Sequence, residues 1–113
     1  VTFVQGDASR LPYPDETFDV VFSNYLYTSC QTRSKQQVIR ESLRVLKKGG
    51  LFVLHDAFGK KSKFGDMAAF AEQLRKEGFR KVELIDTADG LFLTKKEAWR
   101  LNLAGSCLLS GRK

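Results

Sequence analysis

Cysteine, proline and histidine are nearly absent from this sequence, and each shortage removes a class of structure. The 113 residues hold two cysteines (Cys30, Cys107), two prolines (Pro12, Pro14) and a single histidine, His55. The cysteines lie far apart and near no His or Cys partner, which excludes a disulfide framework and a cysteine-rich zinc site and fits a reducing compartment. No internal repeat, low-complexity tract or Pro/Gly/Ser-rich linker divides the chain. No apolar run is long enough to span a bilayer, and the first residues lack a signal-peptide pattern. What remains is ordinary for one globular domain: 42% hydrophobic and 12% aromatic content is ample for a single core at this length.

Charge is the lopsided quantity. Nineteen basic residues face 13 acidic ones, a net +6 that favours anionic partners. The basic residues are dispersed as Lys47-Lys48, Lys60-Lys61, Arg75-Lys76, Arg80-Lys81 and Lys95-Lys96. Most fall at expected helix C-termini or in loops, where cations complement the helix dipole. They read as solvated faces rather than a nucleic-acid footprint, and nothing in the pattern calls for a membrane.

The period of the apolar residues switches along the chain. Val1-Thr2-Phe3-Val4 reads as a strand ending at Gly6. Phe18 to Ser23 is a nearly continuous apolar run, as expected of a parallel strand covered on both faces. Ser34-x-x-Gln37 gives a capping box, with Val38, Ile39, Ser42, Leu43 and Leu46 on one helical face. Lys47-Lys48 is expected in the last turn, closed by a left-handed Gly49. Leu51 to Leu54 is a buried strand ending at His55-Asp56. Asp66 caps a helix with Met67, Phe70, Ala71 and Leu74 inward and Gly78 as its stop. Arg80 to Ile85 reads as a strand, Thr94-x-x-Glu97 opens a short helix through Trp99, and Gly105 to Ser110 reads as a final strand. Strands alternating with helices predict an α/β sheet of mostly parallel strands, closed by an antiparallel hairpin at the sheet edge.

Three strand ends carry polar residues: Gly6-Asp7-Ala8, Ser23-Asn24-Tyr25 and His55-Asp56. Ligands of open α/β sheets bind outside such carboxyl ends. A carboxylate only accepts hydrogen bonds and suits an exocyclic amine; Asp7 equally suits the turn after a strand. Asn24 and Tyr25 offer an amide oxygen and a hydroxyl, with aromatic packing as the plainer role for Tyr25 and Tyr27. His55 has the chemistry of a general base near neutral pH but reads as a structural residue at a strand end. Cys30 has no charged activator and reads as inert.

The block Asp7-Ala-Ser-Arg-Leu-Pro-Tyr-Pro-Asp-Glu-Thr-Phe-Asp-Val-Val21, followed by Arg44-Val-Leu-Lys-Lys-Gly-Gly-Leu-Phe-Val-Leu54, resembles class I S-adenosylmethionine-dependent methyltransferases. The nearest in character are those acting on small molecules, such as the ubiquinone and menaquinone methyltransferases. The resemblance runs from Val1 to Ser110 but corresponds to the later portion of that domain. It implies a Rossmann-like fold truncated at its N-terminus, a single domain over 1–113 lacking the glycine-rich cofactor loop. Val1 already sits in a strand-like segment with no Met before it, so the chain reads as an excised or truncated piece of a longer one, inactive by itself. The resemblance further implies that Asp7 accepts from the adenine amine and that the backbone of Ala8 meets the adenine edge. Ser23 would meet the methionine end of the cofactor, and Asn24 and Tyr25 would border the methyl-transfer site. The run Asn24-Tyr25-Leu26-Tyr27 departs from the Asn/Asp-Pro-Pro-aromatic motif of amino-methylating relatives, which disfavours an exocyclic amine as acceptor. The implied function is methyl transfer to a small molecule in the cytoplasm. The alternative is a non-catalytic module that pairs, with its own copies or a partner chain, through exposed strands. No metal is implied.

Overall fold

In the computed structural model, residues 2–31, 34–88, 94–101 and 103–113 are described. The chain runs β1 (Phe18–Asn24), a 3-10 turn (Tyr27–Ser29), α1 (Lys35–Arg44), β2 (Leu46–Asp56), α2 (Lys61–Phe64), α3 (Met67–Lys76), β3 (Arg80–Asp86), α4 (Lys95–Arg100) and β4 (Cys107–Arg112). The sheet order is β1-β2-β4-β3. β1 is parallel to β2, and β4 is antiparallel to both β2 and β3. Three strands therefore point one way, and the reversed β4 is inserted between two of them. The expected antiparallel pair is present, with β3 rather than β4 forming the edge.

The caps follow the sequence. Ser34 accepts from the Gln37 amide, Asp66 from Ala69 and Thr94 from Glu97. The buried faces of α1 (Val38, Ile39, Ser42, Leu43) and α3 (Met67, Phe70, Ala71, Leu74) are those the periodicity marks. Gly78, at φ 103°, closes α3. Its amide and that of Phe79 reach back to the carbonyls of Arg75 and Leu74, satisfying groups a helix end would otherwise orphan. α1 ends at Arg44, a turn earlier than expected, so Lys47-Lys48 lies within the start of β2 instead of finishing the helix. α1 and α3 are joined by a bidentate Arg40–Glu77 pair, and the Arg40 guanidinium lies over the Phe70 ring. Beneath them Phe52, Leu54, Phe58, Leu74 and Leu109 are fully enclosed; each contributes roughly 1.5–3 kcal/mol by burial.

Two expectations fail. The strand predicted over 1–4 is not in the sheet. Val1 lies outside the described residues, residues 2–6 are irregular, and Phe3 is 92% exposed. β-propensity without a ladder partner does not make a strand. Nor is β1 covered on both faces: Val20 is 52% and Phe22 80% exposed, while Val21 packs against the core. The helices that shape the core lie against the face carrying Val21, Phe52 and Leu54, leaving the Val20–Phe22 face of β1 open. β1 also has no partner along its outer edge among the described residues.

Two polar devices position the strand ends. Asp56, fully enclosed at the end of β2, accepts four hydrogen bonds. They come from the amides of Tyr27 (2.9 Å), Thr28 (3.2 Å) and Ala57 (2.8 Å) and from the Thr28 hydroxyl (2.5 Å). Lys35 Nζ then donates to the carbonyls of Tyr27, Thr28 and Cys30. The 3-10 turn is thus held by its amides on one side and its carbonyls on the other. Meanwhile Glu41 and Arg44 of α1 hold the proline loop. Glu41 accepts from Leu11 N, and Arg44 donates to the Leu11 carbonyl, to Asp15 and to Glu41. The Arg44 guanidinium keeps the Glu41 carboxyl below its usual range. Phe18 packs edge-on against Tyr13 of the same loop and remains part-exposed.

Replacing Asp56 by Asn puts an NH2 group where only acceptors fit. We expect a loss of about 1–3 kcal/mol in urea unfolding; a change within about 0.5 kcal/mol would show the turn is held otherwise. Gly50→Ala is a separate check on strand approach. A Cβ there would sit 2.8 Å from the Lys47 carbonyl oxygen and 2.9 Å from that of Asp19. We expect overpacking to cost about 1–3 kcal/mol, and a variant of unaltered stability would contradict the close β1–β2 approach.

Candidate functional site

Because β1 and β2 run parallel, their carboxyl ends coincide: Asn24 is the register partner of His55. The Asp7–Ser9 turn comes to the same end. Ala8 shares with Ser23, Leu26 and Tyr27 a mainly apolar groove of about 320 Å³ along the unpaired edge of β1. Asp7 and Ala8 also border a second, more polar hollow of about 380 Å³ against Leu26, Ser29 and Cys30. All five residues singled out from the sequence therefore gather around one end of the sheet.

Asp7 is exposed, and its Oδ1 accepts from both the amide (2.9 Å) and the hydroxyl (2.7 Å) of Ser9. These bonds, the hydroxyl first, hold its carboxyl below the usual range. Asp7 thus performs the turn role, while its other oxygen has no hydrogen-bond partner among the described residues. Ser23 is the reverse case. Its Oγ is buried and has no hydrogen bond among the described residues, and it lies near the Tyr27 hydroxyl, which burial pushes above the usual phenol range. The Tyr27 proton itself goes to Ser42.

Tyr25 sits at φ 54°, a left-handed conformation that costs an ordinary side chain roughly 1–2 kcal/mol. It is kept there by its amide, which donates to the His55 carbonyl at 2.7 Å, and by its hydroxyl, which bonds Ser106 Oγ. Ser106 passes its own proton to the Leu103 carbonyl. The phenol expected to orient a substrate is therefore committed to the β4 side, and the ring stands edge-on to His55. The Asn24 carboxamide, exposed, stands 2.9 Å from His55 Nδ1. On the far side of the imidazole, Nε2 stands 3.0 Å from Thr87 Oγ1, and Thr87 donates to the Ser106 carbonyl.

Sequence reasoning named Asn24, Tyr25 and His55 but not the residues that orient them. An acidic residue closing a buried strand was a visible signal for Asp56. Thr87 and Ser106 gave none, since their roles depend on β4 being inserted beside β2. Among the described residues no cluster of His, Cys, Asp and Glu could hold a metal, and no helix is long and apolar enough to cross a membrane. Both cysteines are free thiols, and burial pushes the Cys107 thiol up.

An acceptor-only carboxylate with a spare oxygen, a small neighbour and an orphaned buried hydroxyl suit a ligand with an exocyclic amine and polar groups, as S-adenosylmethionine has. Residues 1–54 match the family described as a methyltransferase domain. The 27-O-demethylrifamycin SV methyltransferase of Amycolatopsis mediterranei is 40% identical over 78 residues, 69% of this chain and 28% of that protein. A ubiquinone/menaquinone biosynthesis C-methyltransferase of Ectopseudomonas mendocina is 46% identical over 50 residues, 44% of this chain and 19% of that protein. The chain thus spans less than a third of the length of these curated relatives. A solved SAM-dependent methyltransferase of Thermotoga maritima, titled a possible histamine N-methyltransferase, superposes with TM-score 0.62 at 19% identity, covering 100% of this chain and 64% of that one. The family match and these relatives are all to methyltransferases, and the fold is shared with a structure titled a SAM-dependent methyltransferase.

Proposed function

We propose that this chain carries part of the cofactor and acceptor site of a cytoplasmic methyltransferase that acts on a small molecule. The observation behind it is that Asp7, Ala8 and Ser23 border two hollows beside the carboxyl end of β1, where Asn24 is the register partner of His55. In this reading the free oxygen of Asp7 accepts from the adenine amine, Ala8 leaves room for its ring edge, and the Ser23 hydroxyl turns toward the methionine end. When bound, S-adenosylmethionine supplies an electrophilic methyl. Asn24, with Tyr25 behind it, borders the acceptor and fixes its approach, since most of the rate advantage in such displacements comes from proximity and alignment. Kinship with ubiquinone and menaquinone methyltransferases, and the absence of Pro-Pro after Asn24, favour an acceptor other than an exocyclic amine.

A second reading is a non-catalytic module that pairs with another chain. The exposed Val20–Phe22 face and the unpaired edge of β1 favour it, because an unpaired edge beside apolar side chains is a template for association.

Residues 1–113 present only part of a cofactor's contacts, so calorimetric titration should give a Kd weaker than about 10 μM, or ~7 kcal/mol. A tighter stoichiometric complex would mean these strand ends suffice. In a polypeptide that binds the cofactor, Asp7→Ala should weaken binding by about 1–3 kcal/mol; unchanged affinity in a folded variant would confine Asp7 to its turn. Sedimentation at micromolar concentration should find dimers or larger species, and a strictly monomeric chain would remove the support for pairing through β1.

A further inference from the structure

His55 is the only histidine of the chain and has no part in the cofactor contacts assigned above, yet each of its ring nitrogens has an oxygen partner. Thr87 spends its hydroxyl proton on the Ser106 carbonyl, at 3.0 Å. Toward His55 the same oxygen therefore accepts, and Nε2, 3.0 Å away, must carry the hydrogen. Nδ1 in turn faces the Asn24 carboxamide oxygen at 2.9 Å, so both ring nitrogens face acceptors, the setting of a ring that has taken up a proton. Of the two partners only the exposed Asn24 amide can turn to leave Nδ1 with its lone pair. With the amide so turned, this is the arrangement of an oriented base: one nitrogen tied back through a hydroxyl to a backbone carbonyl, the other left basic.

We infer that His55 is the proton acceptor for a methyl acceptor bearing an ionisable hydroxyl, of the phenol or enol class. The inference rests on the methyl-transfer reading and adds to it the acceptor chemistry and the residue that activates it. A neutral imidazole suits a proton of phenolic acidity, with pKa about 10; a thiol ionises more readily by itself. In the step, the acceptor O–H bond breaks and its electron pair stays on oxygen as the nucleophile. An N–H bond forms at Nδ1, and the ring becomes imidazolium while Nε2–H remains on Thr87. Asn24 serves both states by turning its amide end for end. Its NH2 meets the neutral Nδ1, and its oxygen, which faces Nδ1 at 2.9 Å, meets the protonated one. Its side chain makes no other hydrogen bond among the described residues, so it can also yield to the acceptor. The groups facing the ring are Asn24 and Tyr25 at the end of β1, Thr87 after β3, and beyond it Ser106 before β4. None of these is a charged side chain.

The test uses the whole chain labelled with ¹⁵N-histidine, which gives one imidazole pattern. At a pH where the ring is neutral, the Nε2–H form should dominate. Thr87→Val should remove that preference, and Thr87→Ser, which keeps the hydroxyl, should restore it. Titrating phenol should move the Nδ1 resonance, whereas anisole, lacking the O–H, should leave it in place. A dominant Nδ1–H form, or equal responses to phenol and anisole, would overturn the inference. Failure of the methyl-transfer reading looks different. Millimolar S-adenosylhomocysteine would then shift no amide at Asp7, Ala8 or Ser23, whatever the His55 tautomer.

Discussion

The enclosed carboxylate of Asp56 is the constraint on which the site depends. A charge with no access to water is costly unless donors replace its solvation, and here three amides and a hydroxyl do so. Two of those amides belong to the turn that follows β1, so meeting the needs of Asp56 fixes where β1 ends. Lys35 completes the hold by taking the turn's carbonyls. With that turn in place, Tyr25 is forced into its left-handed conformation, Asn24 is aligned with His55, and Leu26 closes against Ala8. One buried group at the end of one strand thereby sets the distances among side chains from four segments.

The asymmetry of the sheet gives this geometry a direction. Helices α1 and α3 seal one face, and the other face of β1 stays apolar and open, with its outer edge unpaired. On the open side stand Asn24 and His55; on the sealed side stand Asp56 and the core. An open face next to a polar strand end is compatible with both proposed roles.

Much of this was legible in the residues. Helix caps and core faces were readable because they depend on side chains three or four positions apart: Ser34, Asp66 and Thr94 behave as local chemistry requires. The meeting of Asn24 with His55 was readable because carboxyl ends of parallel strands coincide, whereas the Asp7–Ser9 turn reaches that end without the strand expected before it. Burial of β1 was not, since a run such as Val20-Val21-Phe22 states that it suits a covered strand and not whether a cover exists. The strand expected at 1–4 failed for the same reason. The Thr87–His55–Asn24 relay was invisible because it joins residues whose neighbourhood is created by inserting β4 between β2 and β3. The proximity of Thr87 to His55 is a fact of topology, with no trace in spacing.

The most direct measurement is a crystal structure of a polypeptide containing these residues with S-adenosylhomocysteine bound. The account requires the adenine amine on the Asp7 carboxylate and the sulfur beside Ser23, facing Asn24 and His55 across the ends of β1 and β2. A nucleoside bound against the helical face, or along the open Val20–Phe22 face away from the strand ends, would contradict it.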